Sequence, residues 1–316
     1  MKNKLLSILF VIIILISASS CVKTEEKNGN ISIVTTNFAL YDFARAAAGD
    51  TANVRMLLAP GSESHDFEAT LADIASISSA DLFVCVGGES ENWVNDVFSA
   101  LGNDLPETFY ALDEVETFDE ETIEGMKSDE KDEKDEEDGA PEVDEHVWTS
   151  IGNAITLVDA LAEKIAELAP DSSETVFENA RAYTEKLGEL REKLLDVTAN
   201  SARGTIVVAD RFPFRYMVEE TGLDYYAAFS GCTSATEPSL STVNYLIEKI
   251  NSEKIPAIFV IEFSDRKTAS MVADETGCEI LTLHSAHNVS KEDFAAGVTY
   301  ADIMEKNIEA LKTALN

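Results

Sequence analysis

The sequence predicts an α/β protein of two lobes, each a mostly parallel sheet flanked by helices, joined by one long rigid interdomain helix. Three observations carry this. Short apolar runs alternate with helical stretches in the first half, the same rhythm returns in the second half, and a long helical pattern lies between them. Repeated strand–helix units imply parallel strands with helices on their faces.

Taken in order, ISIVTTNFALYDFARAAAG begins as a strand over Ile31 to Val34 and turns helical after Thr36 and Asn37. NVRMLLAPG, Asn53 to Gly61, is strand-like and stops at a Pro–Gly breaker. LADIASISSADLFVCVGG gives a helix and then an apolar run ending in glycines. ENWVNDVFSALG is a short helix with Trp93, Val94 and Val97 on one face. A carboxylate-rich segment from about Asp113 to Glu145 interrupts the pattern; without apolar periodicity it is expected to be a disordered loop. SIGNAITLVDALAEKIAEL is helical up to Pro170. TVFENARAYTEKLGELREKLLDVTAN then carries Phe177, Ala180, Tyr183, Leu187, Leu190 and Leu194 at helical spacing, and this is the expected link between lobes. In the second half GTIVVAD, PAIFVIE and CEILTLH are strands. RYMVEETG, STVNYLIEKINSEK, DRKTASMVADETG and TYADIMEKNIEALKTALN are helices.

The N-terminus sets the compartment. Lys2 and Lys4 precede the apolar LLSILFVIIILIS and the small residues ASS before Cys21, the order of a secretory signal. Cys21 resembles a lipobox cysteine, with Ala18 where leucine is usual, so a lipidated mature first residue is expected and a plain signal site is the alternative. The expected division is therefore a lipoprotein signal peptide over 1–21, a polar tether over 22–30 and an N-terminal lobe over 31–150. Helices including the interdomain one follow over 151–203, and a C-terminal lobe over 204–316. A net charge of −35 disfavours nucleic acid and anionic surfaces and favours cations. Cys85, in an apolar run, is expected to be a buried small hydrophobe, while Cys232 and Cys278 leave a disulfide open.

Only four histidines occur, and three of them, His65, His146 and His284, fall where such an architecture places ligands, just beyond strands or at loop ends. His287 lies three residues after His284. Imidazole is a common donor to zinc, which is held tetrahedrally by N, S and O atoms. Together, PGSESHDFEAT, ADLFVCVGGESENW and DEHVWTS resemble the metal-binding signatures of the zinc and manganese solute-binding lipoproteins of bacterial ABC transporters. NARAYTEKLGELREKL resembles that family's interdomain helix, and GVTYADIMEKNIEALKTAL its last helix.

The resemblance implies that His65 and His146 are the ligands of the first lobe, facing two from the second across a cleft. There the chain departs from the pattern: VVADRFPFRYMVEETGL puts Arg211 at the usual ligand position. A guanidinium has no lone pair to offer, so Asp210 beside it is the expected substitute, with a structural ion pair to Arg211 or Arg215 as the alternative. The final ligand falls on His284 in LTLHSAHN, and His287 completes the shell if Asp210 does not. The donor set favours zinc over manganese. Glu262 is expected to orient a histidine.

The function implied is extracytoplasmic capture of a divalent metal ion, Zn2+ with Mn2+ as the alternative, by a monomer held to the membrane through its lipid, for delivery to an ABC transporter permease. A surface adhesin with a structural metal is a further alternative. No HExxH spacing or nucleophile elbow is present, and no enzymatic activity is expected. The acidic segment stands where relatives that take up zinc often have a histidine-rich loop. Carboxylates bind zinc weakly, so it is expected to be a solvated spacer with modest electrostatic steering.

Overall fold

The computed structural model describes residues 30–62, 67–126, 142–231 and 238–316. Cys21, His65, Cys232 and the centre of the acidic segment lie outside these.

Two four-stranded sheets form the frame. In the first, β1 (Ile31–Thr35), β2 (Ala52–Met56), β3 (Leu82–Cys85) and β4 (Glu107–Tyr110) are ordered β2-β1-β3-β4. In the second, β5 (Thr205–Arg211), β6 (Asp224–Phe229), β7 (Ala257–Val260) and β8 (Glu279–Thr282) are ordered β6-β5-β7-β8. Every pairing is parallel. β3 and β7 are buried along their whole length, as expected of parallel strands covered on both faces. β4 and β6, each at a sheet edge, were not among the strands expected from the sequence.

The connecting helices start where side chains can satisfy the first free N–H groups. Asn37 caps α1 (Phe38–Ala48), accepting from Leu40 N at 3.0 Å. Thr70 and Asp73 form a capping box on α2 (Leu71–Ser78), and Thr299 and Asp302 form another on the terminal helix Tyr300–Leu315. Within the first lobe α3 (Trp93–Leu101) connects β3 to β4; between the lobes run α4 (Ile151–Leu168) and then α5 (Ser173–Ala199), whose 27 residues make it about 40 Å long.

One apolar cluster runs through both lobes. It joins Ile33, Leu82 and Val84 of the first sheet to Val208 and Phe259 of the second through α1, α4, α5 and the terminal helix. The outer face of each sheet has a smaller cluster of its own. Residues 31–316 thus form one compact unit. α5 contributes Val176, Ala180, Leu187, Leu190 and Leu194 to the shared layer. Phe177, assigned to that stripe from its spacing, is instead 43 % exposed, and Val176 takes the buried position. Asp42 is fully buried in the same layer and fully used. Its carboxylate accepts from Arg45 at 2.7 Å, from the Tyr183 hydroxyl at 2.5 Å and from Tyr300 N at 2.9 Å, tying α1 to α5 and the terminal helix.

The acidic segment is ordered at both ends, against the expectation of disorder over 113–145. Asp119 and Val143 form an antiparallel bridge, Glu120 N donates to Glu142 O at 2.7 Å and Asp144 N to Phe118 O at 2.9 Å. The backbone supplies this clasp, so no apolar periodicity was needed. Among the described residues no helix is long and apolar enough to cross a membrane.

Truncating Leu187 to alanine is expected to cost roughly 2–5 kcal/mol in urea unfolding, while Phe177→Ala stays within about 0.5 kcal/mol. Equal losses would contradict the assignment of the buried stripe.

Candidate functional site

His146 caps the short 3₁₀ turn Val147–Thr149 at the end of the acidic segment, and is buried. Asp144 positions it twice: its Oδ1 accepts from His146 N at 2.8 Å and lies 3.1 Å from the ring Nδ1. A carboxylate on one ring nitrogen fixes the orientation of an imidazole, an arrangement metal-binding histidines generally share. Asp144 is itself anchored, because the Tyr216 hydroxyl donates to its carbonyl at 2.6 Å.

The partner of His146 is His287. The two rings lie 5.7 Å apart, edge to face, with Trp148 5.1 Å from His287. Both histidines line two adjoining cavities. One is walled by Phe67, Trp93, Trp148, Glu91 and Glu145; the other by Ser62, Arg211, Glu262, Phe263 and Asn288.

The turn after β8 decides which histidine enters. Ala286 is buried with φ 60°, a left-handed conformation that non-glycine residues seldom adopt. It reverses the chain so that His284 and His287 leave in different directions. His284 accepts from Ala286 N at 2.9 Å through Nδ1 and lines a separate apolar cavity with Phe214, Met217 and Met304. In this structure His284, an expected ligand, supports the turn, and His287 is the histidine that lies beside His146. Glu262 holds the same turn, accepting from Ser285 N at 2.8 Å and from the Ser285 hydroxyl, and lies 3.6 Å from His284 Nδ1. Its expected orienting role thus falls on the histidine-bearing turn.

Asp210 does not reach the cavities. Its carboxylate accepts from Ile261 N at 3.1 Å and from the Ser264 hydroxyl at 3.0 Å, and burial raises its pKa. In this structure these bonds brace the segment after β7. Arg211, one residue on, does line the cavity with His146 and His287.

His65 lies outside the described residues, but its flanks do not. Ser62 lines one cavity and Phe67 the other. Asn288 Nδ2 donates to Ala59 O and Ser62 O, both at 2.8 Å, and Gly61 N donates to Val289 O at 2.8 Å. The loop leading to His65 is therefore bonded to the turn carrying His287. Among the described residues alone, no three His, Cys, Asp or Glu side chains converge as a metal site.

Glu91 and Glu145, which the sequence did not single out, line the aromatic cavity. Glu145 takes the Ser90 N–H at 2.8 Å, and Glu91 takes those of Val86 at 2.7 Å and Gly87 at 3.0 Å. Burial is the main cause that pushes the Glu91 pKa from 4.5 up to about 7. Cys85 is a buried thiol, as expected, with burial pushing its pKa up; Cys278 is a free thiol, and its suggested partner Cys232 lies outside the described residues.

Residues 33–314 match a family model described as zinc-uptake complex component A, periplasmic. The chain is 32% identical over 294 residues to a zinc-binding lipoprotein, AdcA, of Streptococcus pneumoniae, covering 93% of this chain and 57% of that protein. It is 30% identical over 292 residues to the high-affinity zinc uptake system protein ZnuA of Bacillus subtilis, covering 92% and 89% respectively. The chain thus spans little more than half the length of the AdcA relatives it matches. Among solved structures, the Zn(II)-bound ZnuA-like domain of Streptococcus pneumoniae AdcA aligns with a TM-score of 0.74 at 30% identity, over 91% of this chain and 99% of that one. The metal-dependent lipoprotein YcdH of Bacillus subtilis gives 0.75 at 26% identity, over 90% and 99%.

A carboxyl with a raised folded-state pKa holds its proton more tightly when folded, so its contribution to stability is lost as pH rises from 4.5 towards 7. Glu91→Gln in metal-free protein should therefore gain up to ~3 kcal/mol over the parent between pH 5 and pH 8 in urea unfolding. A gain independent of pH would contradict the shift.

Proposed function

The chain belongs to the family of periplasmic zinc-uptake components, and from that premise we propose that it captures a zinc ion in the cleft between its two sheets and hands it to the permease of an ABC transporter. The observation that carries this reading is the pair His146 and His287. One is buried and oriented by Asp144, the other is delivered from the opposite lobe by the Ala286 turn, and both face the same cavities.

His65, His146 and His287 are the proposed protein ligands. His65 stands between Ser62 and Phe67, which line the two cavities on which those rings open. Three imidazoles suit zinc better than manganese, which accepts more carboxylate and water. Asp144 would hold the His146 ring and Glu262 the turn of His287, the kind of support that metal-binding histidines require. The protein would do no covalent chemistry. Its work would be affinity, discrimination among divalent ions and presentation of a loaded shape. It would act outside the cytoplasm as a monomer anchored through a lipid on Cys21, with the acidic segment a spacer that raises local cation concentration slightly.

The shared apolar layer and the long helix α5 support release by small shifts of the turn and loops rather than wide opening of the lobes. Calorimetric titration of metal-stripped protein should give one tight zinc site and far weaker manganese binding. His146→Ala and His287→Ala should each weaken zinc by more than roughly 100-fold, whereas His284→Ala should cost less than either, within the roughly 10–100-fold typical of a supporting residue. Tighter binding of manganese, or a larger loss in His284→Ala than in His287→Ala, would overturn the assignment.

A further inference from the structure

We propose that Tyr216, a residue of the second lobe, is a positioning residue for metal capture: its hydroxyl sets where Asp144 stands and, through Asp144, where His146 presents its ring. The proposal rests on the metal-binding reading of His146 and His287 and deepens it by naming what places one of the two.

The hydroxyl sits inside a strand pairing that belongs to the first lobe. Around the Asp119–Val143 bridge, Glu120 N donates to Glu142 O and Asp144 N to Phe118 O. That register sets Phe118 opposite Asp144, and in a regular antiparallel ladder residues so placed exchange both of their backbone bonds. Here one bond of the pair is direct and the other is relayed. Phe118 N donates to the Tyr216 hydroxyl at 3.2 Å, and the hydroxyl donates to Asp144 O at 2.6 Å. A direct N–H to carbonyl bond spans ~2.9 Å, so two groups with an oxygen between them stand farther apart. The hydroxyl is a spacer in the pairing.

Tyr216 is itself held firmly. It is buried in the first turn of the helix Arg215–Thr221, with its ring 5.4 Å from that of Phe118. Arg215 lies 5.7 Å over the same Phe118 ring and pairs with Glu121 at 3.5 Å, so the second lobe grips the pairing at several points. Two residues beyond Asp144 stands His146, whose N–H and ring Nδ1 both meet the Asp144 carboxylate. Without the hydroxyl, Phe118 N–H and the Asp144 carbonyl lose their shared partner. They then either close into a direct bond, which draws Asp144 and His146 out of place, or remain poorly satisfied beside the site. The second lobe also carries His287, 5.7 Å from His146. One lobe thus brings its own histidine and sets the position of the other lobe's.

Zinc affinity measured by chelator competition on the parent, Tyr216→Phe, His146→Ala and the double variant tests this, with circular dichroism checking that each is folded. Tyr216→Phe keeps the ring and should weaken zinc by roughly 10–100-fold, the range of a residue that acts through a ligand. In the His146→Ala background the same substitution should change affinity by less than about twofold, because the histidine it positions is gone. Cobalt(II) bound to Tyr216→Phe should show altered visible absorption, a sign of changed geometry at the ion. In the unvaried protein, zinc should slow hydrogen exchange at the Phe118 amide, since an ion that needs the hydroxyl in place holds it there in return. Equal losses in the two backgrounds, parent-like zinc and cobalt binding by Tyr216→Phe, or exchange at Phe118 that zinc leaves unchanged would overturn the positioning role while leaving the metal reading standing. No retention of zinc by the parent would overturn both.

Discussion

Ala286 has to be held at a left-handed φ inside the protein, and the arrangement of the cleft depends on that one conformation. It costs on the order of 1–3 kcal/mol for a residue with a Cβ. The surroundings offset it with a dense set of bonds. Glu262 grips Ser285 at two atoms, His284 receives the Ala286 N–H, Asn307 brackets the His284 backbone at 2.9 and 2.8 Å, and Trp148 Nε1 donates to Ser285 O at 2.8 Å. The last of these joins the turn to the segment that carries His146. Asn288 joins it to the loop before His65. A single strained turn thus fixes the relation of groups that come from three distant stretches of chain.

The burial pattern explains why such a turn can be rigid. The two sheets do not close over separate cores; their inner faces share a layer made by α1, α4, α5 and the terminal helix. Tyr300, buried in that layer, donates to Trp148 O at 2.6 Å, so the layer reaches directly under the His146 segment. Pre-organised ligands suit capture of an ion, since little ordering is left to be done on binding.

Much of the fold was legible in the residues. Continuous apolar runs such as LFVC and AIFV, and capping residues such as Asn37, Thr70 and Thr299, mark elements by local chemistry alone. ETFY at β4 and DYYAAF at β6, both partly exposed edge strands, were not picked out. At the site, the motif around His146 and the position of Arg211 drew notice in the sequence, and both residues line a cavity in the structure. Which of His284 and His287 enters the cleft could not be read there. That choice turns on a positive φ at an alanine, and nothing in HSAH announces it as a glycine would. The direction in which Asp210 turns was hidden for a related reason, since the bulge in β5 is a property of strand pairing and leaves no local mark. Glu91 and Glu145 sat among too many other carboxylates to be distinguished.

The most direct test of the account is zinc-edge X-ray absorption on the loaded protein beside its His284→Gln and His287→Gln variants. If the Ala286 turn delivers His287 to the metal, the imidazole count around zinc falls by one in His287→Gln and is unchanged in His284→Gln. The reverse pattern would place His284 on the metal and contradict the geometry on which the whole reading rests.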